Sequence, residues 1–501
     1  MSFSAIRMLS AIVGMVAASL LLPLAAAIRY GEHRAAMAFA IPMCASWLVT
    51  ALLWRRRGGE ARPLDVARAF RIVGGAWVAM SLFGALPLYF SGVFPSFTDA
   101  VFESVSGFST TGASVLDDVE SIPRSVNLWR CLTHWLGGMG VIMLVVALVP
   151  LLGSGGFKLM KAETTGPEKS KVTARVAATA KALWLIYAGF TLVETLLLRA
   201  AGMGWFDAVC HSFSTLGTGG FSTRNASVGG FGNVCVEIVV TVFMVVASVN
   251  FALYFRLVSG RVRDILRDSE LRSFIVILLV TVGLVTIFNV ADGATPASSL
   301  RVSAFQVASI LSTTGFGTSD YTLWRPVAQL LVFALFLIGG CSGSTGGGIK
   351  VIRWTVLSKQ LNREFRRLLH PREVSTLRIN GQPGREEFVP IVASFIFAYL
   401  LLVFATACFG ALAGLDLVGA FTGAFSMVGN IGPAFGALGP SANYGFLPAP
   451  LKWWYCFAML AGRLEIYTML FLVGALAKRA RFVVQYRRRG RWTAAARRTR
   501  Q

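Results

Sequence analysis

The chain has 501 residues, of which 55% are hydrophobic and only 14% charged, with a mean hydropathy of +0.65. That balance excludes an ordinary soluble domain and points to a polytopic membrane protein. The formal net charge of +23 does not argue for nucleic acid, because the basic residues cluster in alternate loops between apolar runs, as cytoplasmic loops do.

Residues 1–60 carry two apolar stretches, about 9–28 and 36–54, read as an amino-terminal transmembrane helix pair. More spans follow the first stretch, so it is expected to be a retained helix and not a cleaved signal. From residue 61 the chain repeats a pattern of span, short polar loop, span. Repeat one (61–160) has spans at about 70–91 and 128–152 around a loop at 97–114. Repeat two (161–260) has 180–201, 205–222 and 234–258. Repeat three (261–354) has 272–291, 300–317 and 326–352. A basic linker, 355–385, precedes repeat four (386–480), with 388–412, 416–434 and 451–477. An arginine-rich tail, 481–501, ends the chain. The expected fold is all-α, with about ten spans and four pseudosymmetric helix–pore loop–helix repeats around a central pore.

Four segments carry the repeat: Ser106–Ser114, Ser214–Ser222, Ser309–Gly317 and Ser426–Ala434. Without gaps, Gly112, Gly220, Gly315 and Gly432 share one column, at intervals of 108, 95 and 117 residues. Two positions earlier stand Thr110, Thr218, Thr313 and Asn430. Six positions earlier stand Ser106, Ser214, Ser309 and Ser426. A dehydrated cation needs a ring of oxygens, which backbone carbonyls from four loops can supply. Glycine allows backbone conformations closed to other residues, and irregular backbone at membrane depth is tolerated only where it is buried or lines a cavity.

The loop sides hold Asp99, Asp117, Asp118, Glu120, Asp207, Asp292, Asp320 and Asp416, while Lys158–Lys181, Arg256–Arg272 and Lys359–Arg378 fall between repeats. The loops are therefore expected outside and both termini inside. An acidic mouth would concentrate cations. Asp99 and Asp207 suit the N-termini of short loop helices, as caps. The linker places Leu357, Leu361, Phe365, Leu368 and Leu369 at helical spacing among basic residues, which predicts an amphipathic helix at the inner membrane surface, as anchor or docking element.

The run Gly339-Gly340-Cys341-Ser342-Gly343-Ser344-Thr345-Gly346-Gly347-Gly348-Ile349-Lys350 interrupts an apolar span. Glycine costs a helix about 1 kcal/mol per residue relative to alanine, so an unwound segment below the loops is expected; a glycine packing face is the alternative. No Gly-Lys-Ser/Thr follows, which excludes a Walker phosphate loop. Arg463 lies in the apolar run Cys456–Leu476, and a charge there points to function. It reads either as a positive barrier under the loops or as a structural partner of loop carbonyls. His134 and His211 stand alone, so hydrogen-bonded packing is expected in preference to a proton relay. The seven cysteines are scattered without metal-ligand spacing and are expected as free thiols. No residue set supports covalent catalysis.

The segments Thr110-Thr111-Gly112-Ala113, Thr218-Gly219-Gly220-Phe221-Ser222-Thr223, Thr313-Thr314-Gly315-Phe316, Gly429-Asn430-Ile431-Gly432-Pro433 and Gly339–Lys350 resemble the Trk/Ktr/HKT superfamily of potassium transporters, with closest similarity to the bacterial Trk membrane subunit (TrkH type). The resemblance covers nearly the whole chain. It implies potassium (K+) as the transported ion and a filter at Thr110, Thr111, Gly112, Thr218, Gly219, Gly220, Thr313, Thr314, Gly315, Asn430, Ile431 and Gly432. It implies a gate at Gly339, Gly340, Gly343–Gly348 and Lys350, and a pore barrier at Arg463. It further implies a homodimer in the bacterial inner membrane, gated by a cytoplasmic nucleotide-binding ring of the TrkA type. Gly112 resembles the potassium-preferring members. The fourth loop departs from the pattern, and Pro433 fixes its own φ, so four equivalent carbonyl rings are not expected. Three functions stay open: a gated channel-like potassium pathway, a proton- or sodium-coupled symporter on the same scaffold, and a non-transporting membrane receptor.

Overall fold

Long apolar segments in lipid must satisfy their own backbone polar groups, and helices do so segment by segment. The computed structural model describes residues 3–55, 66–151, 172–371, 378–380, 382–383, 388–472 and 474. The amino-terminal pair is α1 (Phe3–Ser19) with α2 (Leu21–Tyr30), then α3 (His33–Arg55). Gly31 stops α2 in the left-handed region, at φ 73°, and its amide returns to the carbonyls of Ala27 and Ile28. The pair packs on α4 and α6 of the first repeat.

Repeat one is α4 (Val66–Phe90), α5 (Phe97–Phe108) and α6 (Arg124–Leu151). Repeat two is α7 (Val172–Ala200), α8 (Trp205–Leu216) and α9 (Val234–Ser248), continued after a 94° bend as α10 (Phe251–Val258). The short α11 (Val262–Leu266) leads to repeat three: α12 (Ser269–Ala291), α13 (Pro296–Leu311) and α14 (Pro326–Leu335). The linker helix is α15 (Val351–Leu369). Repeat four is α16 (Phe388–Leu412), α17 (Leu417–Gly429) and α18 (Ala449–Arg463). In each repeat the short middle helix packs against both flanking helices. The second span also reaches the loop helix of the next repeat: α6 on α8, α9 on α13, and α18 back on α5. Between repeats three and four the rings of Phe333 and Phe425 meet edge-on at 5.6 Å. The four repeats therefore close in a circle, and the polar loops meet inside it.

Six helices among the described residues are long and apolar enough to cross a membrane, or seven if α9 and α10 count as one span. Of the ten spans expected, three second spans are broken, and the second span of repeat one, α6, is one helix that this count does not include. In repeat two the break falls at Val249–Asn250, where the carbonyl of Ser248 accepts the amide of Cys341 at 2.8 Å and Asn250 caps the new helix through the amide of Ala252. In repeat three, α14 ends at Leu335, before the glycine run. In repeat four, α18 ends at Arg463, and Glu465 and Ile466 take positive φ values of 57° and 44°. The linker helix starts at Val351, four residues earlier than its expected boundary; Leu361, Phe365, Leu368 and Leu369 are exposed on it, whereas Leu357 packs near Ile352, Val356 and Val392. Beyond it, Arg378–Ile379 pairs with Gln382–Pro383 as a minimal antiparallel bridge. The basic runs at 56–57 and 158–171 and the tail after 474 lie outside the described residues.

Candidate ion pathway

Each short loop helix runs inward and ends at a loop of the same shape. Thr110, Thr218, Thr313 and Asn430 take φ values of 54°, 53°, 59° and 55°, and Gly112, Gly220, Gly315 and Gly432 take 80°, 84°, 80° and 100°. A β-branched residue in the left-handed region is uncommon and is held only by its surroundings. The surroundings repeat as well. The carbonyls of Ser106, Ser214, Ser309 and Ser426 accept the amides of Thr111, Gly219, Thr314 and Ile431 at 2.8–3.0 Å.

The four loops touch in a ring. A Cβ on Gly112 would lie 1.8 Å from the carbonyl oxygen of Gly219; on Gly220, 2.2 Å from that of Thr314; on Gly315, 2.2 Å from that of Ile431; on Gly432, 2.6 Å from that of Thr111. Each glycine thus faces the carbonyl one position before the glycine of the next loop, and the series closes on itself. The backbone of Asn430–Gly432 follows the same course, so the departure in sequence does not open the ring at this layer. Asn430 also ties loop four to loop one, its amide donating to Thr111 Oγ1 at 3.0 Å and to the carbonyl of Met459 at 2.9 Å. Thr110 Oγ1 and Asn430 Oδ1 are buried with no hydrogen-bond partner among the described residues.

On one side of the ring a cleft opens, lined by all four column glycines together with Asp117, Asn225 and Asn443. Asp118 stands near that mouth; the side chain of Asn225 first, and the amide of Glu120 next, hold its carboxyl below its ordinary value. On the other side lies the glycine run. Thr218 Oγ1 donates to the carbonyl of Thr345 at 2.8 Å, and the amide of Gly347 donates to Thr313 Oγ1 at 2.6 Å. Arg463, buried, donates to the same Thr345 carbonyl at 2.6 Å and to that of Gly137 at 3.3 Å. Lys350 Nζ bonds the carbonyl of Gly346. Gly339, Gly340, Gly343 and Ser344 complete the segment, which crosses beneath the ring without forming a helix; Gly343 and Gly348 adopt φ 72° and 67°. Arg463 thus binds one carbonyl of the glycine run and one of α6, beneath the ring.

Asp99 is not the cap of α5. Ser96 is, its Oγ accepting the amide of Asp99 at 3.1 Å and donating to Asp99 Oδ2 at 2.6 Å. Asp99 instead pairs with Lys452 at 2.6 Å. Asp207 likewise sits in the first turn of α8, after Gly204, and accepts from Thr223 Oγ1 at 2.6 Å. His211 packs by hydrogen bonds, to the carbonyl of Asp207 at 2.8 Å and to Ser222 Oγ at 3.0 Å. His134 stacks on Phe221 at 4.1 Å and meets Ser214 Oγ at 3.3 Å.

Sequence reading passed over a buried pair. Arg130 Nη2 lies 2.6 Å from Glu103 Oε1, and Glu103 accepts Ser114 Oγ at 2.9 Å and the amide of Val115 at 3.0 Å. The guanidinium also covers the ring of Phe221 at 4.2 Å. The pair therefore braces loop one against loop two. Both residues, with Glu194 and Glu270, are ionisable groups in or beside apolar runs, and that rarity was the available signal.

The closed circle of repeats and the ring at its centre define a multi-pass membrane protein of the four-loop pathway class. The family model TrkH, described as cation transport protein, matches residues 35–481. The Trk system potassium uptake protein TrkH of Salmonella typhimurium is 38% identical over 480 residues, covering 94% of this chain and 98% of that one. Its namesake from Halomonas elongata is 40% identical over 429 residues, covering 84% and 88%. The crystal structure of the potassium transporter TrkH from Vibrio parahaemolyticus superposes with a TM-score of 0.84 at 34% identity, covering 94% of this chain and 98% of that one. The chain belongs to the TrkH family of cation transport proteins, and that family is one of transporters, not enzymes.

Proposed function

We propose that this protein carries potassium into the cell through the four-loop ring. The observation that carries the reading is the cyclic contact of each column glycine with the carbonyl of the next loop. The carbonyls of Thr111, Gly219, Thr314 and Ile431 replace part of the ion's water shell, and residues Thr110, Thr218, Thr313 and Asn430 supply a second layer. Gly112, Gly220, Gly315 and Gly432 let the loops approach closely enough. The loop helices α5, α8, α13 and α17 end at the ring, which turns their negative dipole ends toward a cation. The glycine segment from Gly339 to Lys350 acts as the gate, and Arg463 as the positive barrier that keeps an ion from resting below the filter. The names of the curated relatives, Trk system potassium uptake proteins, support the same cargo.

The setting is the inner membrane of a bacterium, as a homodimer, with a cytoplasmic nucleotide-binding ring of the TrkA type as regulator. Support for a docked partner is the basic linker helix α15 with its exposed apolar side chains. Uptake of potassium, rubidium, sodium and caesium into proteoliposomes tests the reading, with and without a proton gradient. Potassium and rubidium are expected to enter faster than sodium, driven by their own gradient; equal entry of all four, or none, overturns it.

One observation favours the coupled symporter. Glu194 of α7 is fully buried, and neither carboxyl oxygen meets the geometry of a hydrogen bond among the described residues, although Thr215 of α8 lies beside it. A buried carboxyl so poorly compensated is costly as an anion and is suited to carry a proton. Under that reading Glu194→Gln abolishes proton-driven accumulation while leaving downhill flux.

A further inference from the structure

The glycine segment forms no helix between Leu335 and Val351, so its position is set by what grips it. In its middle the grip is backbone. The carbonyls of Ala247 and Ser248 accept the amides of Thr345 at 3.3 Å and Cys341 at 2.8 Å, and Gly343 returns its carbonyl to the amide of Phe251 at 3.1 Å. The break between α9 and α10 thus exists where another repeat takes its carbonyls. At its two ends the amides of Gly339 and Val351 close on the carbonyls of Ile349 and Gly340, at 2.9 and 3.3 Å, and one side-chain atom joins that grip. Glu270 Oε1 accepts the amide of Ser342 at 2.7 Å and the amide of Ile352 at 3.1 Å. These amides stand ten positions apart and bracket the loop.

Glu270 is 6% exposed, in the first turn of α12. Burying a carboxylate costs several kcal/mol unless hydrogen bonds replace its water, and bonds from backbone amides to a charged acceptor are among the stronger ones. A helix start needs no buried carboxyl at this place, because Asp268 already caps α12, accepting the amides of Glu270 and Leu271 at 3.1 and 2.9 Å. Asn380 of the cytoplasmic linker grips the same helix start, accepting the amide of Ser269 at 2.7 Å and donating to Asp268 Oδ2 at 2.9 Å. A chain of contacts therefore runs from the linker through the start of α12 to both ends of the loop.

We propose that Glu270 is the positioning residue that latches the glycine segment shut beneath the ring. The proposal rests on the reading of that segment as the gate. Releasing Glu270 frees the amides of residues 342 and 352 together, leaving the backbone contacts to α9 and α10, the ties to Thr218, Thr313 and Arg463, and the bonds of the Gly339 and Val351 amides to the carbonyls of Ile349 and Gly340.

The test uses the full chain in proteoliposomes without any cytoplasmic partner, measuring rubidium flux. Glu270→Ala is expected to raise partner-independent flux about tenfold, and Glu270→Gln, which keeps an acceptor oxygen, by much less. The ratio of rubidium to sodium flux stays at its original value, because the ring is untouched; loss of fold would lower flux instead. Labelling of Cys341, buried in the loop, by a membrane-impermeant thiol reagent gives a second reading and rises with flux in both variants. Flux and Cys341 labelling at the original level in Glu270→Ala and Glu270→Gln overturn the latch. Deletion of residues 343–348 is the control. If the deletion raises flux and the Glu270 variants do not, the latch falls and the gate stands. If the deletion changes nothing, the gate falls and takes the latch with it.

Discussion

Gly112 shows how little room the ring leaves. Its φ of 80° excludes most side chains, and the carbonyl of Gly219 occupies the place a Cβ would need. Gly112→Ala must push loop one away from loop two, and uptake is expected to fall at least about tenfold, equivalent to ~1.4 kcal/mol in the barrier. Retention of full uptake by the alanine variant in proteoliposomes would remove the ring from the mechanism. The column glycines were legible because they repeat in register. The conformation of Thr110 was not, since a threonine seldom chooses the left-handed region; only the bonds from Ser106 and the neighbouring loops put it there. Asn430 is the exception, a residue that tolerates that region and so hints at its own geometry.

At the scale of elements, the glycine run and the end of α18 act on each other. Arg463 holds the carbonyl of Thr345 from above the break at residues 464–466. Arg463→Ala removes this contact and the buried charge together, and its rubidium or potassium rate in vesicles is expected to rise several-fold, as a barrier of one elementary charge near an ion site is worth more than 1 kcal/mol. Unchanged kinetics would reduce Arg463 to packing. The break in repeat three was legible from glycine content alone. The break at Val249–Asn250 was not: Ala-Ser-Val-Asn-Phe contains neither glycine nor proline, and the helix parts there because carbonyls of residues 247 and 248 bond a loop roughly a hundred residues away. The capping of α5 misled in a smaller way, because Ser96 and Asp99 are about equally good caps by type and only the backbone at Ser96 decides between them.

Across the whole molecule, the repeats hold each other through buried polar pairs as much as through apolar packing. Glu103 and Arg130 join α5 to α6 and, through Phe221, repeat one to repeat two. Lys452 and Asp99 join repeat four to repeat one. Breaking such a pair leaves an uncompensated buried charge, at a cost of about 3–5 kcal/mol. Glu103→Ala is expected to lower thermal stability in detergent by that order, far more than Glu120→Ala at the exposed pair with Arg224, which is worth roughly 0–1 kcal/mol. Equal effects of the two substitutions would deny the brace its role.

The apolar runs, their lengths and the glycine column determined that the chain crosses a membrane and presents four like loops, because hydrophobic period and backbone freedom are local properties. Tertiary structure alone decided that the loops close in a ring, that a buried arginine answers Glu103, and that one carboxylate grips both ends of the glycine run. Asn430 meets Thr111 across 319 residues of sequence. Contacts of that separation depend on how all four repeats pack, and no local pattern carries them.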